Sequence, residues 1–148
     1  MTAQFLLDTN VVAYAASNDP LDATKTVIGR RLLQADGAGL SAQVLQEFFV
    51  VVTRKFKRPL TVAEAEVFLD AFERFPVVPL TPEIVRRAIR LSERYRISYW
   101  DGAILAAAKE LAATTVFSED LSHGQTYDGV TVLNPFLPGV ELPVENTG

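Results

Sequence analysis

The sequence predicts an α/β domain: a parallel central sheet flanked by helices, forming one domain over residues 1–148. Three observations carry this. Short apolar runs such as Phe5-Leu6-Leu7 are fenced by polar residues, as buried parallel strands are. They alternate with longer segments of helical period. The length of 148 residues suits one core, since a domain near this size buries roughly 68–70% of its unfolded surface.

The first strand ends at Asp8, and residues 10–16 are helix-compatible up to the breaker Asn18-Asp19-Pro20. Residues 21–34 read as a second helix, with Ile28, Leu32 and Ala35 on its apolar side. Gly37 suits a left-handed C-terminal cap there. Gly39-Leu40 reads as a short strand. Ser41 is an N-cap for a helix through Lys55, along which Val44, Glu47, Phe48, Val51 and Val52 keep helical spacing. Glu47 is the one charge in that stripe. Thr61 with Glu64 forms a capping-box signature for a helix over residues 62–74. Val77-Val78 is a short strand or linker. Thr81 caps the next helix, with Pro82 at its first position, running to Tyr95. Ser98 begins another, ending near Ala112, with Asp101, Ile104, Leu105 and Ala108 on one face. Thr115-Val116-Phe117 and Val130-Thr131-Val132-Leu133 read as strands. The tail from about residue 135 contains Pro135, Pro138 and Pro143 and is expected to be loosely ordered at its end.

Composition excludes several classes. The chain has no cysteine, so a disulfide framework and a zinc–thiolate site are ruled out. That fits a reducing cytosol, and a cytoplasmic location is expected. With 14 basic and 18 acidic residues the net charge is -4, so the protein is no general polyanion binder, and any nucleic-acid contact needs a local basic patch or a cation. No basic n-region precedes an apolar stretch, and no run approaches ~18 apolar residues, so neither a signal peptide nor a membrane span is expected.

Four acids interrupt or end apolar segments: Asp8, Glu47, Asp101 and Asp120. Each has a plain structural alternative. Asp8 suits a helix cap, Glu47 a solvated helix position, Asp101 the positive end of a helix dipole, and Asp120 an Asx-turn. Gathered in one pocket they would repel one another unless a cation neutralised them, and crowding would raise their pKa values. Oxygen ligands without Cys or a His cluster point to magnesium or manganese. Such an ion orients a phosphodiester and activates a water. Asn10 and Ser118 are placed to hold a ligand carboxylate from behind. His123, the only histidine, reads as structural or solvated. The basic cluster Arg54 to Arg58, with Phe56 inside it, either grips an RNA backbone and stacks one base or is a solvated charged turn. The arginines of residues 86–94 read as a solvated helix face or a protein contact. Trp100, Tyr99 and the apolar faces of the first two helices suggest a groove or dimer surface.

The ordered set Leu7-Asp8-Thr9-Asn10, Glu47 in Val44-Leu45-Gln46-Glu47-Phe48, Tyr99-Trp100-Asp101 and Ser118-Glu119-Asp120-Leu121 resembles the PIN-domain ribonucleases. The run from Ser118 to Gln125 and the closing Asn134-Pro135-Phe136 resemble the VapC toxin branch of the type II toxin–antitoxin systems. The resemblance implies an α/β/α sandwich and a magnesium-dependent endoribonuclease, often a homodimer, inhibited by a cognate antitoxin. By it, Asp8, Glu47, Asp101 and Asp120 are the catalytic acids, and Asp8, Asp101 and Asp120 hold the metal. The family's Ser/Thr two residues before the last acid falls on Ser118. Glu119 stays a second candidate for that last acid. A haloacid-dehalogenase-like phosphatase also begins with Asp after a strand, but it needs a second aspartate where Asn10 stands. A degenerate scaffold that only binds RNA or protein would not need all four acids.

Overall fold

A computed structural model describes residues 1–144. Its strands are β1 (Phe5–Leu7), β2 (Ala38–Ser41), β3 (Val77–Val78), β4 (Thr115–Phe117), β5 (Thr126–Tyr127) and β6 (Val130–Leu133). The helices are α1 (Thr9–Ala16), α2 (Ala23–Gln34), α3 (Ala42–Val50), α4 (Val62–Phe72), α5 (Pro82–Tyr95) and α6 (Tyr99–Glu110). They form one sheet in the order β3-β2-β1-β4-β6-β5, parallel except where β5 pairs antiparallel with β6. The chain steps from β1 to β2 to β3, then crosses back to place β4 on the other side of β1. The strand order therefore reverses between β1 and β4, and in open α/β sheets the crevice beyond such a switch point is the binding place.

Right-handed crossovers running in opposite directions put their helices on opposite faces of the sheet. One face thus carries α1 to α4 and the other α5 and α6. β1 is buried along its whole length, and so is β2. Phe5 meets Phe117 edge to face at 5.3 Å between ring centroids, which ties β1 to β4. Under α3, Phe48 packs edge to face on Phe72 of α4 at 5.1 Å. α1 presents Val11, Val12, Ala13, Ala15 and Ala16 to the core. Its apolar face is therefore spent inside the protein, which corrects the expectation that it would be free for a partner. On α2, Leu21 just before the helix and Val27 on it are exposed.

Local signals explain most boundaries. Ser41, Thr81 and Ser98 each cap their helix with a side-chain oxygen, and Thr61 and Glu64 exchange both bonds of a capping box. Three boundaries differ from the sequence reading. Residues 20–22 form a separate 3-10 turn, because Asp19 caps Leu21 and Pro20 opens the turn. α2 ends at an extended Ala35 rather than on a glycine cap; Gly37, at φ +97°, makes the turn into β2 instead. The helix after Ser41 changes pitch at Val51, and residues 51–55 are a π-helical turn. The edge strand β5 is too short and too polar to stand out in the sequence. The end of the tail, from residue 145, lies outside the described residues. Before it, Phe136 is half-buried and packs edge to face on Tyr14.

α5 and α6 form a close antiparallel pair, and Gly102 sets their separation. A Cβ there would sit 2.5 Å from the Ala88 carbonyl oxygen and 3.1 Å from Ser92. Gly102→Ala should therefore destabilise the protein by about 1–3 kcal/mol, read as a lower urea midpoint. An unchanged midpoint would show that the contact is not tight.

Candidate active site

Asp8 directly follows β1, and Ser118 directly follows β4, the two strands that flank the switch point. Asp8 caps α1 through Thr9 N–H, which donates to Asp8 Oδ1 at 2.8 Å. Its other oxygen, Oδ2, accepts from Ser118 Oγ at 2.7 Å. The plain cap and the site residue are thus one group: the bond from Thr9 orients the carboxylate that Ser118 holds. Asp8 is 6% exposed.

Asn10, the second residue of α1, links the rest. Its Nδ2 donates to Asp120 Oδ2 at 3.0 Å, to Ser118 Oγ at 3.3 Å and to Asp8 Oδ2 at 3.4 Å. Its Oδ1 accepts from Glu119 N–H at 3.2 Å. Ser118 Oγ in turn accepts from the backbone N–H of Asp120 and Leu121. One amide thereby fixes two acids that follow the carboxyl ends of adjacent parallel strands. Glu47 joins from α3, where Thr9 Oγ1 donates to its Oε2 at 2.8 Å and Gln43 Nε2 to its Oε1 at 2.9 Å.

Glu119 faces elsewhere. Tyr14 OH donates to its Oε1 at 3.0 Å, and Lys25 Nζ lies 2.8 Å from its Oε2. Between the neighbouring acids, Asp120 is the one tied to Asp8. Asp101 stands in the first turn of α6, capped by Ser98, and its carboxylate makes no hydrogen bond or ion pair among the described residues. α6 ends close before β4, so its start lies toward the carboxyl edge of the sheet. There Tyr99 shares a small cleft with Gln43, the residue that holds Glu47. His123 Nδ1 accepts from Asn134 N–H at 2.9 Å, a loop-fastening role.

Burial is the largest influence on Asp8 and pushes its pKa from 3.8 up to about 6. The bonds from Ser118 and Thr9 oppose this, while the charges of Asp120 and Glu47 add to it. Crowding of acids was the cause expected from the sequence; desolvation outweighs it, because Asp8 is pinned under the β1–β4 crevice while Asp120 is exposed. Among the described residues, no three Asp, Glu, His or Cys side chains are gathered into a ready-made metal cage. The donor set remains all oxygen, and magnesium is commonly held by one or two carboxylates with waters completing its shell. Asp8 and Asp120, sharing one amide nitrogen, fit that mode.

A family model for the PIN domain matches residues 5–128. The chain belongs to the PIN-domain family. Solved PIN-fold structures similar to it include a toxin–antitoxin complex from Klebsiella pneumoniae, with TM-score 0.62 and 17% identity, covering 88% of this chain and 97% of that one. DNA-bound VapBC from Salmonella typhimurium matches with TM-score 0.61 and 19% identity, covering 89% and 97%. The sarcin–ricin-loop-cleaving toxin VapC20 of Mycobacterium tuberculosis matches with TM-score 0.59 and 16% identity, covering 78% and 91%. At these identities the likeness is one of fold. No curated protein matches. In the site itself, the bond from Thr9 to Glu47, Gln43 and the Tyr14–Lys25 pair escaped the sequence reading, which carried Thr9 only within Leu7-Asp8-Thr9-Asn10. Gln43 stands four residues before Glu47, a helical neighbour spacing that could have flagged it. The Tyr14–Lys25 contact joins two helices and leaves no local signal.

The raised pKa of Asp8 has a stability consequence with a definite sign. The folded state holds the proton more tightly than the unfolded state does. This group's relative stabilisation is therefore complete below its unfolded pKa of 3.8 and lost as pH rises through about 6. The loss is on the order of 3 kcal/mol. In chelator, wild type should lose melting temperature between about pH 4 and about pH 6.5 relative to Asp8→Asn, which has no such proton. Parallel melting curves for the two proteins would show Asp8 to be ordinary.

Proposed function

We propose that this PIN-domain protein is a divalent-metal-dependent endoribonuclease of the VapC type, acting on RNA in the cytoplasm. The observation that carries the reading is the joint fixation of Asp8 and Asp120 by Asn10 and Ser118 at the sheet's switch point. Two carboxylates held side by side, one of them strongly desolvated, make a poor resting arrangement without a cation and a good seat for one. Asp8 and Asp120 would hold the ion, with Asp101 approaching from the start of α6. Magnesium, or manganese in its place, supplies positive charge that orients the phosphodiester and offsets the charge developing during hydrolysis.

The chain's own residues then divide the work. Asn10 and Ser118 hold the two acids in register. Glu47, fixed by Thr9 and Gln43, adds a third carboxylate at the edge of the site, placed to take up a proton or orient water. Lys25 and Tyr14 keep Glu119 turned away, so it does not compete for the ion.

A protein partner belongs to the same reading. The Klebsiella and Salmonella structures are toxin–antitoxin assemblies, and this chain leaves Trp100 63%, Leu21 84% and Val27 66% exposed. An antitoxin and a second copy of the chain are the proposed occupants of those surfaces. No helix among the described residues is long and apolar enough to cross a membrane.

The test is cleavage of single-stranded RNA by purified protein with magnesium. Asp8→Asn and Asp120→Asn should each lose on the order of 100-fold or more in rate, and excess chelator should stop wild type. Cleavage that survives both would sink the reading. Asp101→Asn discriminates further: a loss comparable to that of Asp8→Asn makes it a ligand, whereas full activity leaves it as a helix-end charge.

A further inference from the structure

A cavity of about 270 Å³ opens beside the acids, between α1 and the π-helical turn that follows α3. We propose that it seats one nucleotide of a single-stranded RNA, base inward and phosphates on Lys55 and Lys57, and that it favours bases carrying an exocyclic amino group over uracil. This rests on the nuclease reading above, since Asn10 and Glu119 form the wall shared with the acid site.

The occupant follows from the lining. Lys55 and Lys57 stand at the exposed rim with Phe56 half-buried between them. Cations that track a backbone, beside an aromatic ring on which a base stacks, are the general means of holding single strands. The π-helical turn is what delivers them: the change of pitch at Val51 lets Phe56 N–H close onto Val51 O, and Lys55 and Phe56 arrive beside α1. Such turns recur at functional sites. Ala13 and Val51 complete an apolar wall suited to a ring face. A partner helix, about 10–12 Å across with its side chains, would need a long groove instead of this compact recess.

The preference follows from which polar groups remain free. Asn10 has no edge to offer, because its amide is committed to Asp8, Ser118 and Asp120 and its oxygen to Glu119 N–H. The Tyr14 hydroxyl is donated to Glu119. Each Glu119 oxygen accepts a single bond, from Tyr14 or Lys25, and keeps room for another. Asp22, across the cavity, accepts from Ser17 through one oxygen only. The interior therefore offers carboxylate acceptors. An exocyclic amino group on adenine, cytosine or guanine offers them two donor hydrogens, whereas uracil offers one N3–H flanked by two carbonyl oxygens that the carboxylates repel. The same carboxylates keep a bare phosphate at the rim with the lysines.

The experiment is binding of labelled oligo(A), oligo(C) and oligo(U), each about six nucleotides long, to the full chain in excess chelator, followed by fluorescence anisotropy. Oligo(A) and oligo(C) should bind wild type about tenfold more tightly than oligo(U). Phe56→Ala should weaken all three roughly fivefold or more. Glu119→Gln, which adds an amide donor, should bring oligo(U) level with oligo(C). Equal binding of the three by wild type overturns the proposal, and so does wild-type affinity in Phe56→Ala. If Phe56→Ala instead weakens a co-expressed protein partner and no oligonucleotide, the cavity takes polypeptide and the proposal falls. Magnesium-dependent cleavage scored alongside separates the two readings. Cleavage lost in Asp8→Asn with no base preference leaves the nuclease and removes the pocket. Base preference without any cleavage does the reverse.

Discussion

The hydrogen bond between Ser118 Oγ and Asp8 Oδ2, 2.7 Å long and buried, is the interaction on which the rest of the site depends. It bridges the ends of β1 and β4, the two strands between which the sheet order reverses. With Thr9 N–H on the other oxygen, it leaves the Asp8 carboxylate one orientation. Asn10 then reads that orientation and passes it to Asp120, and Thr9 passes it through its hydroxyl to Glu47. A short chain of neutral donors thus sets the positions of three acids that would otherwise separate.

The arrangement costs stability. Asp8 could have capped α1 from a solvated position at little expense. Instead it is buried where its charged form is disfavoured, and Asp120 and Glu47 make that worse. The surroundings support it: β1 and β2 are wholly buried, and Phe5 with Phe117 and Phe48 with Phe72 form two edge-to-face pairs. Local violations of folding economy, held in place by a well-packed core, are what functional sites look like. Among the described residues, no buried side-chain polar atom lacks a partner, so the strain is electrostatic and does not come from missing hydrogen bonds.

Much of this was legible in the chain. A carboxylate stopping an apolar run marks a strand end, and Ser118 two residues before Asp120 marks another. The alternation of strands and helices fixes parallel pairing, which places both ends on one edge. Helix starts were legible because Ser41, Thr61, Thr81 and Ser98 act through local bonds. Long-range choices were not. Nothing in Ser118-Glu119-Asp120 says which acid turns toward Asp8; Lys25 and Tyr14, 94 and 105 residues away in sequence from Glu119, decide it. The π-helical turn at Val51 keeps an apolar spacing that an α-helix would share, so periodicity could not distinguish them. The burial of α1 depends on α2 and α3 packing over it, which an isolated amphipathic pattern does not reveal.

The central claim is that Asp8 lies in a desolvated seat completed by a cation. Calorimetric titration of manganese into the metal-free protein, in buffers of different ionisation enthalpy, tests it most directly. Metal binding must displace the proton that burial holds on Asp8. With a pKa of about 6, about half a proton should leave per metal bound near pH 6 and almost none near pH 8. Asp8→Asn should bind weakly and release none. Tight binding with the same proton count at both pH values, or binding unaltered in Asp8→Asn, would contradict the account.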